Sequence, residues 1–279
     1  MTYRRAVREL GAFFGCEPTE RAVYEHRLAS DPAEYASALL RATNTEALYV
    51  DDGFPPPGEG TSWDELGELA GCEARPVLRI ERVAAEDGAD AVPEVVAAAR
   101  ENGFVGLKTI AAYRTGLELE RLDWAVFTAL EANERTGNPL PVQVHSGFGD
   151  WDLYLPRADP GHLKPVLERF AETRFVLLHC YPFVREAGWL AHVYGNVWFD
   201  LSLTIPHVSR PAEMVRQALE LAPVSKLLYA SDAARTPELY YLAATWWRKA
   251  LAEVLPELGD DAEEAARMIL RENALALYA

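Results

Sequence analysis

Seven short apolar runs, most recurring at intervals of about thirty residues, constrain this chain more than any other feature, because that interval is the size of one βαβ unit. The runs are Ala47–Val50, Pro76–Ile80, Phe104–Leu107, Pro141–Val144, Phe175–Leu178, Val197–Leu201 and Lys226–Ala230. Amphipathic stretches separate most of them, among them Val92–Asn102, Leu119–Thr136, His162–Thr173 and Ala212–Leu221. Strands alternating with helices in this way imply a parallel sheet. The length of 279 residues suits one (β/α) barrel domain of roughly 250 residues, or two small domains. A closed barrel needs eight strands. The eighth is most easily placed before residue 1.

Helices flank this alternating core. Residues 1–42 read as a helical segment: Tyr3–Phe14, a second helix capped by Thr19, and a third opened by Asp31-Pro32 and running to about Ala42. After the last strand, Glu238–Val254 and Asp261–Tyr278 read as two more. Leu242, Trp246, Ala250 and Val254 mark the buried face of the first, and Ala265, Ile269 and Leu270 that of the second. The long loop is Phe54–Ser62, which holds Pro55, Pro56 and Pro57.

Charge narrows the partners. With 27 basic against 43 acidic residues the chain carries a net charge of -16, which argues against binding nucleic acid or an anionic membrane. A small-molecule substrate remains compatible, as does a homo-oligomer. The three cysteines, Cys16, Cys72 and Cys180, have no CxxC spacing and suit a reducing cytoplasm. The apolar run near the N-terminus is too short for an export signal, and no stretch reaches the ~20 apolar residues of a membrane span.

In a (β/α) barrel the chemistry sits at the C-terminal ends of the strands. Polar residues recur there: Lys108, His145 with Asp150, His179, Asp200 and Asp232. One histidine at a strand end is more often structural than functional. A lysine, two histidines and an aspartate on separate strands would instead converge on one space. Neutral imidazole and carboxylate are the usual ligands of a divalent metal such as Zn²⁺. Lys108 ends an apolar strand and needs a partner: a carboxylate, a phosphate, or conversion to a carbamate that bridges metals. Its plainest partner would be Asp150 or Glu81. Asp232 reads as a ligand or general base, since Ser231 and Thr236 could equally cap the next helix. Arg114 and Tyr113 lie in the loop above the barrel, where Arg114 could hold a substrate carboxylate bidentately or form a structural ion pair. Arg79 and Glu81 alternate along one strand and could pair. His207 follows a strand and could line the pocket, whereas His26 and His192 read as surface or packing residues and His162 as a helix start.

The stretches VGLKTIAAYRTGL from Val105, QVHSGFGDWDLYLPRADP from Gln143, FVLLHCYPFVREAGWLAHVYGNVWFDLSL from Phe175 and LLYASDAARTPELYYLAA from Leu227 resemble the amidohydrolase-2 family. The similarity is to the FluG/nodulin-type branch and runs from about Tyr3 to Tyr278. It implies a TIM (β/α)8 barrel of the metal-dependent hydrolase type over residues 1–279, with bound Zn²⁺ or a related divalent metal. By that resemblance His145 is a metal ligand. His179 is a second-metal ligand or a catalytic residue, and Asp232 is a ligand that also transfers protons. Lys108 matches a position where some members carry a carboxylated lysine. Arg114, Tyr113, Asp150 and His207 are the expected substrate-binding residues. One departure matters: the family's first strand ends in His-x-His, and no HxH occurs here. The chain is then either truncated upstream, its first strand missing, or divergent. The leading expectation is hydrolysis of an amide-type C–N bond by metal-activated water. The alternatives are a decarboxylase in which Arg114 holds the leaving carboxylate, and a metal-free barrel serving as a binding module.

Overall fold

A computed structural model describes residues 2–56 and 58–279. Seven strands form: β1 (Ala47–Asp51), β2 (Glu73–Arg79), β3 (Gly106–Thr109), β4 (Val142–Ser146), β5 (Phe175–His179), β6 (Val197–Asp200) and β7 (Leu227–Leu228). They hydrogen-bond in chain order, and every pair is parallel. Parallel strands covered by helices are buried on both faces and read as continuous apolar runs. That is why the seven runs could be located, and β5 is buried along its whole length. Among the described residues β1 and β7 do not pair with each other, so the sheet has two free edges. Along β1 all five residues are only half-buried.

Several boundaries differ from expectation. β2 ends at Arg79, and Ile80 already begins the helix Ile80–Glu86. Glu81 therefore lies in a helical first turn and does not pair with Arg79. Its Oε1 instead accepts from Thr109 Oγ1 at 2.5 Å and from the Ile110 N–H at 2.8 Å, fastening the end of β3. The helix expected over Val92–Asn102 stops at Ala98. The chain then turns through Gly103, whose φ of 87° suits a residue without Cβ. Pro57 of the expected long loop lies outside the described residues.

The amino-terminal helices follow the local signals. Thr19 caps Glu20–Ala29 by accepting from the Ala22 N–H. Asp31 caps Pro32–Ala42 by accepting from the Ala33 and Glu34 N–H groups at 3.0 Å each. The expected last helix is broken into Ala262–Arg267, a π-helical turn Met268–Glu272, and Asn273–Tyr278. The break has a structural consequence. Ile269 O accepts from the Tyr229 N–H at 3.0 Å, and Asn273 Nδ2 donates to Val224 O and Leu227 O at 2.9 and 2.8 Å. These bonds occupy backbone groups around β7 that have no strand partner on the outer side.

The core between sheet and helices buries Leu39, Leu78, Leu107, Phe175, Phe199 and Trp247. At the amino-terminal end of the strands Tyr278 packs against Tyr49, with ring centroids 4.5 Å apart, and accepts from Gln143 Nε2 at 2.8 Å. The opposite end is left open, and the polar strand ends collect there. Among the described residues no helix is long and apolar enough to cross a membrane.

Candidate active site

Asp51, Arg79, Lys108, His145, His179, Asp200 and Asp232 come from six strands and the segment after β7, and all line one cavity of about 1750 Å³. His145, on β4, is 5% exposed. Its ring lies between those of Tyr113 and His179, at centroid distances of 4.6 and 4.5 Å. His145 Nε2 is buried and has no hydrogen-bond partner. Burial, reinforced by the His179 ring and the Lys108 charge, holds the His145 pKa well below its ordinary value.

His179 ends β5 in the left-handed region, with φ 67°, and Cys180 follows at 62°. Two such residues cost of order 1–3 kcal/mol each and persist only where the surroundings over-determine them. Here they do. Asp200 Oδ1 accepts the His179 N–H at 2.8 Å, and His179 O accepts from Thr204 Oγ1 at 2.7 Å. Ser202 Oγ donates to Asp200 Oδ1 at 2.7 Å, so it accepts from His179 Nδ1, 2.8 Å away. That assigns the proton of the neutral ring to Nδ1 and leaves Nε2 its lone pair. Burial, followed by the Lys108 charge, keeps this imidazole well below its ordinary pKa. Asp200 is itself pushed up to about 6 by burial, against the hydrogen bonds it accepts. It positions His179 through Ser202 and the backbone.

Asp232 also lies in the left-handed region, at φ 50°, with Oδ2 3.9 Å from His179 Nδ1. Its side chain is 31% exposed, but into the cleft rather than to open solvent. Burial raises its pKa, while the nearby Lys108 and His145 pull the other way. It does not cap a helix. The helix Pro237–Val254 begins after Thr236, which makes no side-chain cap bond.

Lys108 pairs with neither Asp150 nor Glu81. Its Nζ lies 2.9 Å from Asp51 Oδ2. Asp51 also accepts from Arg79 Nε at 3.1 Å and from Arg79 Nη2. The reason is register: Arg79 sits opposite Lys108 across β2 and β3, and β1 brings Asp51 alongside both. Burial opposes the Asp51 charge, but Lys108 and Arg79 outweigh it and the pKa falls below its ordinary value. Asp52 accepts from the Arg79 N–H at 2.8 Å and pairs with Arg82. As an ammonium ion Lys108 has no lone pair to give a metal. Neither Asp51, Asp52 nor Ser202 was singled out from the sequence. The strand-end rule applied to ALYVDD would have found Asp51, whereas nothing local marks Ser202.

At the mouth, Tyr113 OH accepts the Asp150 N–H at 2.9 Å. Arg114, Asp150 and His207 are exposed and line the same cavity. His207 Nδ1 lies 2.7 Å from Leu203 O and so donates to it.

Among the described residues no group of three or more His, Cys, Asp or Glu is arranged to hold a metal. The chemistry of the donors nevertheless fits one side of a divalent centre. His145 Nε2 is buried without a partner, His179 Nε2 keeps its lone pair, and a carboxylate stands beside them.

A family model described as amidohydrolase matches residues 29–279. Protein fluG of Emericella nidulans is 36% identical over 219 residues, which are 62% of this chain and 25% of fluG. The chain thus spans about a quarter of that relative's length. A structure from Lactobacillus casei, described as a metal-dependent hydrolase, superposes with a TM-score of 0.84 at 29% identity, covering 99% of this chain and 83% of the other. The 5-carboxyvanillate decarboxylase LigW of Sphingomonas paucimobilis shares the fold, with a TM-score of 0.56 at 15% identity over 99% of this chain and 92% of its own. The family match takes in all seven strands and every strand-end residue described above, and the chain belongs to the amidohydrolase family.

Proposed function

We propose that this chain hydrolyses an amide-type C–N bond in a small molecule, with a divalent cation, Zn²⁺ first among candidates, held on one side by His145, His179 and Asp232. The observation that carries the reading is His145 Nε2, buried and without a partner next to a second imidazole. A buried polar atom left unpaired costs about 1–3 kcal/mol, which a fold retains where something arrives to meet it. Lys108 would join the donor set only as a carbamate. When bound, the cation supplies a Lewis acid that polarises the amide carbonyl and makes water more acidic.

The chain's own residues would do the rest. Asp232, with its proton affinity raised by burial, would take the proton of the attacking water and pass it to the leaving nitrogen. Ser202 and Asp200 hold the His179 tautomer. Asp51, itself bonded to Arg79, holds Lys108 in place at the cavity wall. Tyr113, Arg114, Asp150 and His207 would contact the substrate at the mouth. The unpaired edges of β1 and β7 support reading the sheet as seven strands of an eight-stranded barrel. The acidic net charge supports action on a small molecule rather than on nucleic acid or membrane, and three free cysteines without CxxC spacing support a reducing cytoplasm.

The test pairs metal analysis with an amide panel. Wild-type protein equilibrated with Zn²⁺ should retain metal and release amine or ammonia. His145→Ala should lose the metal, and Asp232→Asn should lose turnover by about 10²–10⁴-fold. Release of carbon dioxide from an acid, with no amine from any amide, would replace hydrolysis by decarboxylation. Absence of both metal and turnover overturns the reading.

A further inference from the structure

Three charged side chains at the mouth stand idle. Arg114, Asp150 and Asp152 line the same cavity as His145 and Asp232, and all three are exposed. Among the described residues none has an ion-pair partner, and the Tyr113 hydroxyl bonds to the Asp150 backbone rather than to its carboxylate. Other arginines of this cavity are engaged. Arg79 faces Asp51, Arg82 faces Asp52, and Arg235 lies 3.7 Å from Glu59.

Tyr113 anchors the Asp150 segment to the site. Its hydroxyl accepts the Asp150 N–H, and Arg114 follows it at the end of the short helix Ala111–Arg114, on the wall of the same cavity. Burial raises the phenol's pKa, and the Asp150, Asp152 and Asp232 carboxylates add to the rise, as charges within reach would. Gly149 ties the group to the reacting centre. A Cβ there would lie 2.2 Å from Tyr113 Oη and 2.9 Å from His145 Nε2. The buried, unpartnered His145 Nε2 thus faces the very backbone that carries Asp150.

We propose that this mouth is a zwitterion subsite: Asp150, Asp152 and the Tyr113 oxygen take the ammonium group of an amino-acid-like substrate, and Arg114 takes its carboxylate. An ammonium group brings three donors, and two carboxylates with a phenol oxygen supply matching acceptors. A guanidinium fork matches a carboxylate. A purely cationic ligand would leave Arg114 idle. A purely anionic one would meet repulsion from Asp150 and Asp152. A molecule carrying both charges engages all three. The placement of the scissile bond next to this head group rests on the hydrolytic reading above, but binding of the head group does not.

Titration calorimetry of the wild-type chain tests it. The probes are free L-amino acids, each compared with its N-acetyl and its carboxamide derivative. At least one free amino acid should bind about tenfold or more tightly than both of its derivatives, the effect of one charge-assisted contact at each end. Arg114→Gln should abolish the preference over the carboxamide alone. Asp150→Asn with Asp152→Asn should abolish the preference over the N-acetyl form alone. No preference for any free amino acid, or a preference that survives the substitutions, overturns the proposal. So does uptake of Ca²⁺ at Asp150 and Asp152 with no amino acid bound. Turnover of neutral amides without this preference overturns the subsite and leaves hydrolysis standing. Selective binding of amino acids without any C–N cleavage does the reverse.

Discussion

Replacing Asp51 by asparagine removes a charge and almost no volume. The side chains involved are little exposed: Asp51 14%, Lys108 9% and Arg79 13%. Asparagine would leave two half-encircled cations facing a neutral amide. Removing one member of a buried ion pair costs about 3–5 kcal/mol, because the remaining charge stays desolvated. For a chain of this size each kcal/mol moves the melting temperature by roughly 2–4 °C, so Asp51→Asn should melt about 6–20 °C lower. Urea unfolding followed by circular dichroism gives the free energy directly, with the exposed Asp150→Asn as control. Lys108→Met combined with Asp51→Asn should recover about 1 kcal/mol or more relative to Asp51→Asn alone, since one stranded charge is then gone. The pH dependence has a definite sign. The folded-state pKa of Asp51 lies below its ordinary 3.8, so its contribution is full above that value and is lost as pH falls through the folded value. The gap between wild type and variant should therefore close in acid. A loss under about 1 kcal/mol, or one no larger than that of Asp150→Asn, would refute the idea that this carboxylate compensates buried cations.

Two further outcomes follow from the network behind His179. Ser202→Ala removes the acceptor that fixes the Nδ1–H tautomer and should weaken divalent-cation binding by about 10–100-fold; unchanged affinity in a metal titration would show that Ser202 does not orient the ring. Asp200, pushed up to about 6 from 3.8, keeps a proton in the folded state that the unfolded chain has released, so its contribution is present below 3.8 and lost as pH rises through about 6. Relative to Asp200→Asn, the wild type should therefore lose about 3 kcal/mol between roughly pH 4 and 7, since each tenfold change in proton affinity is worth about 1.4 kcal/mol. A difference that stays flat with pH would place Asp200 in a more polar setting than its burial implies.

Much of this was legible along the chain. The apolar runs located all seven strands, most clearly those such as β5 that are buried on both faces and therefore read as near-continuous apolar sequence. The helix starts at Thr19 and Asp31 were legible because capping is local, a side chain meeting N–H groups two or three residues away. His145, His179, Asp232 and Lys108 were recognisable as polar ends of apolar strands, and the structure does bring them to one cavity. The π-helical turn at Met268–Glu272 was not legible. The side-chain bonds made just after it reach backbone around β7 that lies 49 and 46 residues away in the chain, a need that helical periodicity does not register.

By itself, then, the sequence determined the alternating architecture, the strand ends on which chemistry could stand, and the family resemblance carried by those ends. Partner choice was decided only in three dimensions. Asp51 rather than Asp150 or Glu81 compensates Lys108, because β1, β2 and β3 lie side by side and their register brings that carboxylate to two cations. The tautomer of His179 is set by Ser202, on a segment that follows the neighbouring strand β6. The physical reason is the same in both cases. Periodicity and capping act over a few residues, whereas the pairing of a buried charge is decided by which groups the folded sheet places within about 3 Å, and burial makes leaving it unpaired too costly.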